Sequence, residues 1–306
     1  IADFSQGPVE GWFTDGQGIE YLTRPGAFTL QQGDQFINAL MLPGIATSNL
    51  STKLNGALRS PLASNIDGFF LHALAAGGDF AAHRTVIDNA FLCEKQSFYS
   101  NDRYQWKVVN LHKGEPKRRT YAEWATKSSN PNFPPRWGLA REINEEVEKS
   151  PHSWFSVSKV YYSQGPTAPQ KRLTAFIDLL ESGSPKSKQE AAALYQKWLS
   201  SMVDAWSEGT ATNDQIMVLN NLLQTPWITK SASHELLKPL IEKCRELERA
   251  LHSPRTVNSM ADHDPGEDYK LNIRGSYYEL GDPVRRGYLR LFNREADEIS
   301  VFASQQ

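Results

Sequence analysis

The sequence predicts an α+β protein with three successive parts. An N-terminal antiparallel β-sandwich spans residues 1–130, a helical domain spans 131–252, and an extended segment, 253–306, begins a further domain. Three observations carry this. Short apolar runs separated by Gly, Pro, Thr and aromatic residues continue up to Lys127, the rhythm of sandwich strands between turns. A proline cluster, Pro131-Asn-Phe-Pro-Pro135, then supplies residues that cannot donate to a sheet ladder. Beyond it the apolar residues fall at helical spacing.

The first part is organised around Leu54–Leu92. Gly68–Ala75 is an apolar run too short for an ordinary helix, Gly77-Gly-Asp79 ends it, and a β-branched segment, Thr85–Ile87, follows. This predicts two buried antiparallel strands joined by a tight turn. In Gln105–Leu111, period two puts Trp106, Val108 and Asn110 on one face and Lys107, Val109 and Leu111 on the other. Neither face is cleanly polar, so a central strand is expected. Gly16-Gln-Gly18 and Pro25-Gly26 supply turn chemistry.

Five helices are expected in the second part. Leu139–Lys149 carries a narrow stripe of Leu139, Ile143 and Val147; Arg172–Glu181 follows and stops at Gly183. The longest starts with Ser184 as cap and Pro185 at its first position, then runs to Trp206. Thr212-Asn-Asp starts the next, which carries Ile216, Leu219, Leu222 and Leu223 up to the Pro226 break. The fifth covers Ser233–Leu251, with Leu236, Leu240, Cys244, Leu247 and Leu251 nearly in line. In the last part Tyr269–Arg274 reads as a strand, Gly275 and Gly281-Asp-Pro283 as turns, and Arg285–Phe292 as an apolar, basic segment.

At 306 residues the chain is long enough for more than one core, and 40% hydrophobic with 22% charged residues is ordinary for a globular protein. No apolar run approaches the roughly 20 residues of a membrane-spanning helix. The net charge of −2 hides no large block of one sign, so nucleic acid is not an expected partner. Two cysteines, Cys93 and Cys244, make no disulfide framework, thiolate cluster or haem-attachment motif; both are expected as buried free thiols, and no cofactor is expected. The chain opens at Ile1 without a leader pattern, as a processed chain or an internal piece would.

The candidate ligand-binding residues are Trp12, Arg59, His83, Arg84, Asp88, Trp106 and Trp124. Arg59, Arg84 and Asp88 are charges on strands expected to be buried, where they either pair locally or meet a ligand. The tryptophans either fill the core or offer an apolar plane to a sugar ring. His83 beside Arg84, and His263 within the acidic run Asp262–Asp268, are weighed as metal or acid–base groups against simple solvation; no metal site is assigned. No nucleophile elbow, phosphate loop, dinucleotide fingerprint or His-Glu-x-x-His occurs, so the sequence names no reaction.

Several segments resemble one family: large secreted proteins of planctomycete type, with a cytochrome c domain and two domains of unknown function flanking a jelly-roll module similar to sugar-binding ones. Leu58-Arg-Ser-Pro61, Arg84-Thr-Val-Ile-Asp-Asn89 and Tyr121-Ala-Glu-Trp124 resemble that module. Ile273-Arg-Gly275 followed by Gly281–Leu289 resembles the opening of the second unknown domain, with Arg285-Arg286 where the family has Pro-Arg. No haem-attachment motif is present, so haem function does not carry over. The resemblance implies a periplasmic or extracellular chain with a polysaccharide, other segments of the same precursor, or other subunits as partners. Three functions follow as expectations: a noncatalytic glycan-binding module, part of a polysaccharide-active or cytochrome-linked redox enzyme completed outside this chain, or a structural subunit.

Overall fold

The computed structural model describes residues 2–30, 37–64, 70–87, 96–99, 103–111, 119–137, 140–169, 174–181, 183–225, 235–252, 269–275 and 279–284. Thirteen strands precede the proline cluster: β1 (Ala2–Asp3), β2 (Phe13–Asp15), β3 (Glu20–Leu22), β4 (Ala27–Leu30), β5 (Ile37–Met41), β6 (Gly44–Ala46), β7 (Ala57–Arg59), β8 (Ala63–Ser64), β9 (Phe70–Gly78), β10 (Ala82–Ile87), β11 (Gln96–Phe98), β12 (Gln105–Asn110) and β13 (Arg119–Ala125). After it come β14 (Arg136–Trp137), β15 (Ala140–Arg141) and β16 (Trp154–Ser163). The helices are α1 (Glu145–Lys149), α2 (Ala175–Glu181), α3 (Lys188–Ser207), α4 (Asn213–Leu223) and α5 (Lys238–Ala250).

Two six-stranded antiparallel sheets form the sandwich. The first runs β12-β9-β16-β6-β3 with β1 added to β16; the second runs β11-β10-β13-β7-β2 with β8 added to β13. Between them lies a core of Ile45, Leu58, Leu71, Trp124, Phe155, Val157 and Val160, the inward residues of strands that alternate in period two, joined by Phe4 from a 3-10 turn after β1.

Three expectations about strands are corrected. β9 and β10 do not pair: β9 belongs to the first sheet and β10 to the second, so the turn between them is a corner of the sandwich. Asp79 and Phe80 take left-handed backbone there, with φ 52° and 62°. β12 is an edge strand, apolar on both faces because one meets the core and the other carries an outer ring contact. The sandwich also does not end at residue 130, since β16 lies between β9 and β6 in the first sheet. Gly77 makes that pairing close: a Cβ there would sit 2.8 Å from the Trp154 carbonyl oxygen and 2.8 Å from Tyr99 Cγ.

The helical part packs on the outer face of the first sheet. Leu22, Ala46, Ala76 and Trp154 from the sheet, Leu40 and Met41 from the β4-β5 hairpin, and Met202, Ile216 and Leu219 from α3 and α4 form a second core. Buried Asn220 of α4 accepts from the Leu40 amide at 2.9 Å, and Trp206 Nε1 of α3 donates to the Gly26 carbonyl at 2.8 Å. The α3 cap is Ser187 rather than Ser184, accepting from the Glu190 amide. Helix α4 starts where expected, with Thr212 as its cap in a reciprocal box with Gln215. Of the first expected helix only Glu145–Lys149 is helical, because Ala140–Arg141 pairs with Arg136–Trp137.

Helix α5 overturns the expected burial of Cys244. Ile241 is buried against the body, while Cys244, Leu240 and Leu247 are exposed. Cys93 lies outside the described residues.

Residues 257–306 form a separate unit. In it β17 (Tyr269–Asn272) pairs with β18 (Leu280–Val284), so Gly281-Asp-Pro283 is strand rather than turn. Arg285–Phe292 lies outside the described residues.

Candidate functional site

The helical layer covers only half of the outer face of the first sheet. Among the described residues it reaches Ala76 and Leu74 of β9, and the outward residues farther toward the start of that strand, His72 and Phe70, lie beyond it. The register places Trp106 of β12 and Lys159 of β16 on either side of Leu74, Val108 and Tyr161 on either side of His72, and Asn110 and Ser163 on either side of Phe70. β1 extends the first row, since Asp3 is opposite Lys159.

Trp106 and Tyr161 therefore stand on strands separated by β9, and their rings meet with centroids 5.3 Å apart and planes tilted by 59°. Both rings stay partly exposed, as do Phe70 and Leu74, and Val108 is exposed. Under this bridge His72 is 1% exposed. The Ser163 hydroxyl donates to the Gly165 carbonyl at 2.6 Å, and His72 Nε2 lies 2.7 Å from Ser163 Oγ and 3.1 Å from the same carbonyl oxygen. Among the described residues His72 Nδ1, which is buried, has no hydrogen-bond partner. At the rim Lys159 pairs with Asp3 at 2.9 Å. Burial works against the Asp3 charge, but bonds from the Ser5 hydroxyl and amide and from Lys159 hold its carboxyl below the usual range. The result is a shallow apolar ledge with polar and charged edges.

The other expected site residues are scattered. Trp12 is partly buried, edge-on to Phe4 at 4.9 Å and 6.0 Å from Trp124, and packs on the core. Trp124 is fully buried, its Nε1 donating to Tyr99 Oη at 3.1 Å, so it presents no plane to solvent. Arg59 and Arg84 flank Glu123 on the outer face of the second sheet. Arg59 Nε donates to Glu123 Oε1 at 2.8 Å, Arg84 Nε to Oε2 at 2.6 Å, and Arg84 Nη1 to Asn130 Oδ1 at 2.8 Å. Arg84 and Glu123 are buried, and their charges are satisfied within the fold.

His83 points inward, its ring 5.3 Å from Tyr99. Burial, then the charge of nearby Lys107, pushes its pKa down to about 4, so it is neutral at pH 7. Asp88, His263 and the run Asp262–Asp268 lie outside the described residues. Among the described residues no group of three or more His, Cys, Asp or Glu side chains is placed to hold a metal ion, and no helix is long and apolar enough to cross a membrane.

Of the expected tryptophans, then, only Trp106 stands on the ledge. Sequence reasoning missed Tyr161, His72 and Phe70. Tyr161 was hidden because β16 lies beyond the proline cluster, in a region assigned to helices. The signal was present in Trp154–Ser163, where Phe155, Val157 and Val160 alternate with serines and Lys159.

No family model matches the chain, and no curated protein matches it. Among solved structures, that of TmCBM61 in complex with beta-1,4-galactotriose is similar over 53% of this chain and 93% of that one, at 8% sequence identity and a TM-score of 0.28.

Proposed function

We propose that the chain is a noncatalytic glycan-binding module of a larger secreted protein, and that it holds carbohydrate on the open half of the first sheet. The observation that carries this reading is the Trp106–Tyr161 ring pair, partly exposed on a shallow ledge beside exposed Val108. An aromatic face offers the apolar C–H side of a pyranose a large contact plane. Asn110, Ser163, Lys159 and Asp3 stand around it with donors and acceptors for hydroxyls.

Two or three rings contributing about 1 kcal/mol each beyond area burial give a site with Kd of about millimolar to micromolar. Screening the 306-residue chain on a panel of neutral and anionic polysaccharides, followed by calorimetry, tests this. Trp106→Ala should weaken the best ligand roughly tenfold, equivalent to about 1.4 kcal/mol, and Trp12→Ala, a change in the packing behind the other sheet, should not. Binding to none of the panel, or binding unchanged in Trp106→Ala, would overturn the reading.

A further inference from the structure

Helix α5 turns its polar side to its own fold. The residues it buries or half-buries are Ile241, Arg245 and Glu248. Ser51 Oγ donates to Glu248 Oε1 at 2.8 Å and Lys53 Nζ to the Glu248 carbonyl at 2.6 Å. About a quarter turn round the helix lies the apolar stripe. Leu237, Leu240, Leu247 and Leu251 are 36, 62, 60 and 36% exposed, and Cys244, between them, is exposed.

The spacing of these five residues is three, four, three, four. That is the a/d spacing of a coiled coil, with Cys244 at a and Leu240 and Leu247 at d on the helix itself, and Leu237 and Leu251 at the two flanking a positions as its caps, Leu251 with extended backbone. In this register Ile241 and Glu248 fall at e and Lys243 at g.

We propose that α5 pairs in parallel, in register, with α5 of a second copy of the chain, Cys244 facing its counterpart. Two features select this occupant and this direction. The first is charge: a parallel pair sets each g residue against the e residue five positions on in the other helix, which brings Lys243 to Glu248 of the partner subunit and the reverse. Lys243 is available for this exchange, because its present bond is a surface pair with Glu246 in which both side chains are more than 60% exposed, and Glu248 keeps 27% of its side chain exposed while its Oε1 accepts from its own Ser51. The second is shape. Each helix is attached to its body along its e side, and in a parallel pair the two e sides fall on opposite faces of the seam, so the bodies stay clear of each other. In an antiparallel pair e faces e, and the two bodies would compete for one side.

The 13-residue helix is about 20 Å long, short for a coiled coil, so the pair is expected to be weak, with Kd of about 1–100 μM. Sedimentation velocity of the full chain over a concentration series should show a reversible monomer–dimer equilibrium. Diamide, accepting the two electrons and two protons released when two thiols join, should convert the dimer to a disulfide-linked species, which Cys244→Ser abolishes while leaving the dimer. The double variant Leu240→Glu, Leu247→Glu should be monomeric with unchanged far-ultraviolet circular dichroism, since both side chains are exposed in the monomer. Lys243→Glu, which sets acid against acid across the seam, should weaken the dimer about tenfold and serves if the double variant does not fold. A chain that stays monomeric, a dimer indifferent to Lys243→Glu and to the double variant, or a dimer that diamide does not link through Cys244 would overturn the proposal.

Discussion

At the scale of single residues, the charges of the second sheet and the histidine behind it decide how the fold responds to acid and to substitution. His83 is neutral in the fold, with a pKa of about 4 against an ordinary 6.5. A base whose folded pKa is depressed stabilises the fold fully above about pH 6.5 and loses that contribution as pH falls toward 4, in total about 3 kcal/mol. Chemical denaturation at pH 7.5 and pH 4.5 should therefore show a smaller acid loss in His83→Leu than in the parent chain; equal losses would contradict this. Glu123 is the second pivot. Glu123→Gln removes the buried carboxylate that Arg59 and Arg84 share, and thermal unfolding should show a loss of about 3–5 kcal/mol. That Arg59 and Arg84 need either a local partner or a ligand follows from burial cost and was readable in the sequence. Their shared partner was not, because Glu123 meets them only through the strand register.

At the scale of elements, local chemistry was legible and pairing was not. The start of α4 at Thr212 can be read directly, and Thr212→Ala should cost about 1 kcal/mol in thermal unfolding. The apolar character of Phe70–Ala75 and of Thr85–Ile87 is equally plain. Their tight turn suggested a hairpin, whereas in the fold it carries the chain from one sheet to the other. Such a corner depends on backbone approach that periodicity does not encode. Just before it, Gly77 lies close against β16 and Tyr99, so Gly77→Ala should destabilise by about 1–3 kcal/mol through crowding against Trp154 and Tyr99. Helix α5 shows the opposite case: its leucine stripe is obvious in sequence, but which side meets the body is settled by Ile241 and by the bonds to Glu248.

At the scale of the whole molecule, the sandwich is closed by a strand from beyond the proline cluster. β16 pairs with β9 along nearly its whole length and also with β1 and β6. The α+β class was therefore legible from the change of period, while the end of the sandwich was not. The same return of the chain builds the ledge, since Trp106 comes from one side of the cluster and Tyr161 from the other. The measurement that tests the ledge most directly is a titration of indole-labelled full-length chain with the best oligosaccharide, followed by nuclear magnetic resonance of the tryptophan side-chain N–H signals. Trp106, identified by the signal lost in Trp106→Phe, should shift progressively and saturably while the buried Trp124 and Trp154 stay in place. Saturable binding that leaves the Trp106 signal unmoved would contradict the account.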